Sequence, residues 1–352
     1  MINTVILKVN REKPEPSKIK AAAEVIIKGG LVAFPTETVY GLGANLMNEK
    51  AVKRIYEAKK RPIDNPIIVH VSSKQETMKL TRGIPLKAKK LMKVFWPGPL
   101  TLIFKASKVS EDVTGGLDTV AVRMPNHKVA LALIKASGVP IAAPSANLSG
   151  RPSPTTAEHV KQDLYGRIEM ILDGGPTNIG VESTVLDLTV DPPIILRPGG
   201  VTYEELQKAI GKVEIHPSVL AEKKVSFDKV MSPGMKYRHY APKAEMILVE
   251  GNVENTVQKV QQITDLYKKK GKKVGILATD ETRNQYKADI VKSIGTRADI
   301  SIAARNLFRL LREFDEDGVE VIIVEGLPFE GLGLAVMNRL RKASGYRIEK
   351  AY

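Results

Sequence analysis

The sequence predicts an α/β protein built in two parts. Strand-like and helix-like segments alternate through the first two hundred residues, the alternation resumes after residue 243, and a stretch without periodicity lies between. A chain of 352 residues suits two hydrophobic cores. The expected division is 1–211, an interrupting segment 212–243, and 244–352.

Ser17 can cap a first helix whose apolar residues Ile19, Ala22, Ala23, Ile26 and Ile27 share one face, and Gly29-Gly30 ends it. LVAFPT follows as a strand, and Gly41 and Gly43 of VYGLGAN read as a strand end and a turn. Asn48 can cap a helix with Val52, Ile55 and Tyr56 inward, closing at Lys59, and IIVHV is a buried strand. Pro85 to Phe95 is helical and stops at Trp96-Pro97-Gly98-Pro99. LTLIFKA and TVAVRMP are strands, Lys128 to Ser137 is a helix, and VPIAAPSAN is a strand running into a loop. A helix over 156–165 and the strands EMILD, STVLDLT and PIILRP follow, and Thr202 with Glu205 forms a capping box.

Residues 212–243 hold one short strand-like stretch, VEIHP, and the segment SPGMKYRHYAP, Ser232 to Pro242. Its prolines and Gly234 disfavour regular structure, and Tyr237, Arg238, His239 and Tyr240 are dense in aromatic and cationic groups for a passive spacer. Beyond it MILVEG, VGILAT, ADIVKSIG and VEVIIVEG are strands. Val253 to Lys270, Ile300 to Phe314 and Leu334 to Ser344 are helices, so a mostly parallel sheet is expected.

Composition narrows the function. An apolar content of 43% with 26% charged residues is that of a soluble globular chain, and no apolar run reaches the length of a membrane span. MINTVILKVNREKPEP lacks the long apolar region of a signal peptide, which makes a cytoplasmic location the expectation. The absence of cysteine excludes disulfides, thiolate catalysis and Cys-bound zinc. The net charge of +15 points to a polyanionic ligand, nucleotide or nucleic acid, or to solvated lysines such as those of Lys268-Lys269-Lys270-Gly271-Lys272-Lys273. No GxxxxGK[ST] loop occurs, and Gly331-Leu332-Gly333 has Val336 where a dinucleotide fingerprint needs its third glycine. The five histidines show no ligand spacing, whereas Mg2+ carried in with phosphates needs few protein ligands. Ser145 lacks a GxSxG frame.

Three segments combine. FPTETVYGLG places the hydroxyls of Thr36 and Thr38 around the Glu37 carboxylate at a strand end. KKRPIDNPIIVH sets Lys59, Lys60 and Arg61 at a helix end and His70 at the far end of a strand. APSANLSGRPSP carries Ser145, Asn147, Ser149, Arg151 and Ser153. Each is a polar loop beside a predicted strand, where open α/β sheets bind ligands. Arg123, Ser183-Thr184 and Arg197 add donors at strand ends, the cations suited to phosphate or carboxylate.

In this order, with WPGPLTLIF, VAVRMPNH, STVLDL and LRPGG, the segments resemble the threonylcarbamoyl-AMP synthase family across residues 31–200, and the later linker and small domain resemble its two-domain branch. The resemblance implies a YrdC-like, twisted, open mixed sheet with helices and a smaller, Rossmann-like C-terminal domain. It implies that L-threonine, bicarbonate or CO2, and ATP give threonylcarbamoyl-AMP and pyrophosphate. A partner machinery would then modify adenosine 37 of ANN-decoding tRNAs, with no tRNA needed for the first step. Carried onto this chain, Lys59 and Arg61 would grip the triphosphate and stabilise the departing pyrophosphate. Arg123 would bind the threonine carboxylate, with Thr36, His70, Ser183 and the backbone of Ala143 around the amino acid. Asn65, Thr119, Ser145, Asn147, Ser153 and Arg197 would contact the nucleotide, and Tyr237 would fold back over ATP, making 212–243 a lid. A tRNA- or double-stranded-RNA-binding module without catalysis is the rival; aromatic residues make up only 5%, with no clear stacking platform. Relatives that use carbamoyl phosphate carry zinc-finger modules, which a chain without cysteine does not have.

Overall fold

Residues 2–223, 232 and 239–352 are described by a computed structural model. They divide into two units, each with its own sheet.

In the large unit the strands are β1 (Val5–Lys8), β2 (Val32–Phe34), β3 (Gly41–Asn45), β4 (Val69–His70), β5 (Leu100–Lys105), β6 (Thr119–Arg123), β7 (Ile141–Ala142), β8 (Met170–Asp173), β9 (Thr184–Asp187), β10 (Ile194–Arg197) and β11 (Glu214–Ile215). They lie in the spatial order β1-β8-β2-β3-β7-β4-β6-β5-β9-β10-β11. β4 runs parallel to β6 and antiparallel to β7, so the sheet is mixed, as the resemblance implied. Alternate side chains of one strand enter opposite cores, the consequence of a two-residue period. Val32 and Phe34 pack with Ile19, Ala22 and Ile26 of the helix Pro16–Ile27 and with Leu133 of Lys128–Ser137, while Ala33 joins the other core. That second core holds Val52 and Ile55 of Glu49–Lys59, Leu91 of Leu86–Phe95, Val160 of Ala157–Leu164 and Leu206 of Tyr203–Ile210. The caps at Asn48 and Thr202 form as the sequence requires: Asn48 accepts from Ala51 N, and Thr202 and Glu205 complete their reciprocal box.

Two expectations change. Gly41 and Gly43 belong to a strand of their own, antiparallel to β2, rather than to a turn. The reason is close approach: a Cβ on Gly43 would stand 2.7 Å from Ile141 Cγ2 and 2.8 Å from Phe34 Cε1. Gly43→Ala is expected to destabilise the fold by about 1–3 kcal/mol through overpacking, measured by urea denaturation. The first helix begins at Pro16 with Glu15 at its cap, so Ser17 lies inside the first turn rather than capping it. The strand-like stretch VEIHP does form a strand. β11 pairs parallel with β10, and Pro217–Leu220 is a short helix, because VEIHP supplies edge-strand residues beside β10.

The smaller unit carries β12 (Glu245–Gly251), β13 (Val274–Ala278), β14 (Ile290–Ser293), β15 (Val321–Glu325) and β16 (Ile348–Ala351), all parallel and ordered β14-β13-β15-β12-β16. Its helices are Val253–Lys269, Ile300–Glu316 and Gly333–Ala343. The lysine run 268–273 covers the end of the helix Val253–Lys269 and the exposed turn after it, where Lys272 pairs with Glu320. No described helix is long and apolar enough to cross a membrane.

Candidate active site

Pairing of four adjacent strands sets a polar row across the large sheet. His70 on β4 stands opposite Arg123 on β6, Arg123 opposite Thr101 on β5, and Leu100 opposite Thr184 on β9, with Ser183 one residue before. Three strand spacings of about 4.8 Å put the ends of the row about 14 Å apart. All four side chains are buried. Thr101 and Ser183 hydroxyls are 2.7 Å apart, and Arg197 Nη2 donates to Ser183 Oγ at 3.1 Å while its Nε reaches the Ser183 carbonyl.

Arg123 is fixed from three sides. Its Nε donates to Gly98 O, its Nη1 to Thr38 Oγ1 at 3.0 Å, and its Nη2 stands 2.6 Å from Glu37 Oε2. Thr38 in turn lies 2.8 Å from Thr36 Oγ1, and the Thr36 hydroxyl donates to Val39 O. A hydroxyl that closes a turn onto its own backbone explains why Thr-Glu-Thr holds this shape. The loop is pinned from outside by Asn178 N and Ile179 N, which donate to the Glu37 carbonyl.

His70 is 4% exposed, edge-on to the Phe34 ring, and its Nδ1 has no hydrogen-bond partner. Burial, reinforced by the Arg123 guanidinium, drives its pKa down to about 3, so the ring is neutral at physiological pH. His127 is held down at about 4, again mainly by burial. Both titrate near 6.5 when unfolded, so the unfolded chain binds more protons below that pH. Stability is therefore fully present above about pH 6.5 and falls on acidification toward pH 4, by about 1.4 kcal/mol per pH unit for each histidine. Urea titrations at pH 7 and pH 5 check this slope, and His70→Phe should remove about half of it.

Lys59 closes the helix Glu49–Lys59, where Lys60 turns left-handed with φ of 53°. Its side chain is 1% exposed, and its ammonium donates to the carbonyls of Ser145 and Asn147. Ser149 N returns a bond to the Lys59 carbonyl, so helix end and loop form one clamp. Burial first, and Arg61 second, pull the Lys59 pKa well below the usual lysine value. Arg61 donates from Nε to Asn65 O and from Nη2 to Pro66 O, curling the chain into a turn. Asn65 Oδ1 is buried without a hydrogen-bond partner. In the same loop as the Lys59 acceptors, Ser145 Oγ donates to Asn147 Oδ1, and Gly41 pairs with Ser145 across a bridge. Ala143 N donates to Ile68 O, which seats this loop beside β4.

Of the expected residues, Thr36 reaches Arg123 through Thr38, Ser183 bonds to Arg197, strand register sets His70 in the same row, and Lys59 joins Ser145 and Asn147 in a separate cluster. Ser153 is buried and donates to Glu182 Oε1 at 2.6 Å. Thr119 stands apart from Arg123, four residues earlier on β6 and about 13 Å away, in a small cavity with Pro66, Ile67 and Thr114. Tyr237 lies outside the described residues. Sequence reading missed Thr101 and Glu182 as partners of the site. Thr101 carried a signal: it is the one hydroxyl inside the apolar strand LTLIFKA.

Comparison with known proteins follows the same outline. A family model described as telomere recombination matches residues 24–199, and one described as threonylcarbamoyl-AMP synthase, C-terminal domain, matches residues 201–345. The chain is 56% identical to the threonylcarbamoyl-AMP synthase of Pyrococcus abyssi over 99% of both chains, and 53% identical to that of Bacillus subtilis over 94% of both. A crystal structure of P. abyssi Sua5 complexed with L-threonine matches with a TM-score of 0.94 at 55% identity, covering 99% of this chain and 100% of the other. On this sequence agreement and this fold, the chain belongs to the threonylcarbamoyl-AMP synthase family.

Proposed function

We propose that this chain converts L-threonine, CO2 or bicarbonate, and ATP into threonylcarbamoyl-AMP and pyrophosphate. The observation that carries the reading is the buried polar row of His70, Arg123, Thr101 and Ser183, a floor of one fixed cation among hydroxyls and a neutral imidazole. Such a floor suits a small amino acid with a carboxylate and a hydroxyl. The neutral threonine amine attacks the carbon of CO2, a C–O π pair moves to oxygen, and loss of one N–H proton to solvent leaves the carbamate. A carbamate oxygen then attacks the α-phosphorus and the bond to pyrophosphate breaks. This needs alignment and charge stabilisation rather than a covalent nucleophile.

Arg123 holds the threonine carboxylate, with Thr36, His70, Ser183 and the Ala143 backbone around the rest of the amino acid. Lys59 and Arg61 face the triphosphate, where charge grows on the departing pyrophosphate. Ser145, Asn147, Ser153, Asn65, Thr119 and Arg197 are the nucleotide contacts. Among the described residues no group of three or more His, Asp or Glu is arranged to hold a metal ion. Mg2+ that arrives with ATP would be held by the phosphates, for which few protein ligands are needed. The adenylate then passes, in the cytoplasm, to a separate machinery that modifies tRNA.

The test is pyrophosphate release by the purified full chain in the absence of RNA. Release is expected only when threonine, bicarbonate and ATP are all present. Turnover that required tRNA would overturn the reading.

A further inference from the structure

The one charged member of the Thr36-Glu37-Thr38 loop has no role in this scheme. Glu37 is 6% exposed, and its Oε2 stands 2.6 Å from Arg123 Nη2. The two groups touch as ions but are out of line for a hydrogen bond: neither carboxylate oxygen has a hydrogen-bond partner, and neither does Arg123 Nη2. A buried carboxylate ordinarily collects donors, because desolvating it without them is costly. Here Asn178 N and Ile179 N hold the backbone carbonyl of Glu37, and no donor satisfies either oxygen of its buried carboxylate.

The charge pattern around it is that of a zwitterion's complement. Arg123 supplies one positive charge, Glu37 one negative charge beside it, and the neighbouring His70 ring is uncharged. Nε and Nη1 of Arg123 are aimed at Gly98 and Thr38, so its remaining capacity lies on the fork that Glu37 shares. An α-amino acid carries its ammonium one carbon from its carboxylate. A ligand carboxylate on the Arg123 fork therefore brings that ammonium to the carboxylate already there. We infer that Glu37 is a specificity-determining residue that receives the α-ammonium of the substrate, completing with Arg123 a site for a zwitterion rather than for a simple anion. The inference rests on the reading that Arg123 takes the substrate carboxylate.

The test compares two ligands by calorimetry: L-threonine and (R)-3-hydroxybutyrate, which is threonine without its amino group. Each is titrated into the wild-type chain and into Glu37→Gln, with ATP affinity as the check that the variant is folded. The wild type is expected to prefer threonine by about tenfold to a hundredfold, the range for a hydrogen bond to a charged group. In Glu37→Gln the preference is expected to fall to about threefold or less, through loss of threonine affinity alone. Equal affinities in the wild type would overturn the inference without recourse to a variant. So would a folded Glu37→Gln that weakens both ligands by one factor, since that marks a mere support for Arg123, or one that keeps the full preference. A wild type that binds no threonine overturns the functional reading itself, a different failure from an unchanged preference.

Discussion

Replacing Lys59 by alanine lowers turnover at saturating substrates by about a hundredfold or more, the usual order for losing one preorganised charge in a site. The effect has two sources. On the proposed reading the site loses a charge beside the departing pyrophosphate, and the carbonyls of Ser145 and Asn147 lose their donor, which loosens the loop that carries the proposed nucleotide contacts. A second readout separates charge from scaffolding. Lys59→Arg keeps a cation at the helix end without the ammonium's fit to the Ser145 and Asn147 carbonyls. Turnover restored by Lys59→Arg well above that of Lys59→Ala would mark the charge, and no gain would mark the scaffold. Near-wild-type turnover in Lys59→Ala would remove the residue from the mechanism.

Arg123→Ala is expected to act on one substrate. Removing one partner of a buried charge pair weakens binding by about 2–5 kcal/mol, so the KM for threonine should rise about thirtyfold or more while the KM for ATP changes little. The variant should also be less stable by about 3–5 kcal/mol, because Glu37 is left buried and uncompensated. Adding Glu37→Ala to Arg123→Ala should recover part of that stability without recovering threonine affinity. Steady-state kinetics and urea denaturation of the two variants check both statements. A parallel rise in both KM values would point to general collapse of the site.

How much of this was legible in the sequence depends on which force decided each feature. Capped amphipathic helices were plain, because Asn48, Thr202 with Glu205, and the inward Val52 and Ile55 are local signals. The strand at Gly41 was hidden, since two glycines read as a turn until the ring of Phe34 and the side chain of Ile141 fill the space a Cβ would need. VEIHP was legible as strand-like, but its partner Ile194–Ile195 was not, because tertiary pairing alone chooses it. Within the site, residue types marked the polar loops but not their partners. Nothing local says that Arg123 meets Glu37, that Ser183 meets Thr101, or that Ser153 meets Glu182; strand register and loop docking decide those contacts. Lys59 shows the point most clearly. At a helix end it reads as a solvated cation, yet it is among the most deeply buried large side chains of the chain.

The most direct test of the central claim is the chemical identity of the adenylate. The purified chain is incubated with ATP and threonine, with and without bicarbonate, and the nucleotide products are separated and weighed by mass spectrometry. The expected product is AMP carrying threonine plus one CO2 unit, formed only when bicarbonate is supplied. A threonine–AMP product lacking that carbon, formed equally well without bicarbonate, would mean that the carboxylate of threonine is activated instead and would contradict the account.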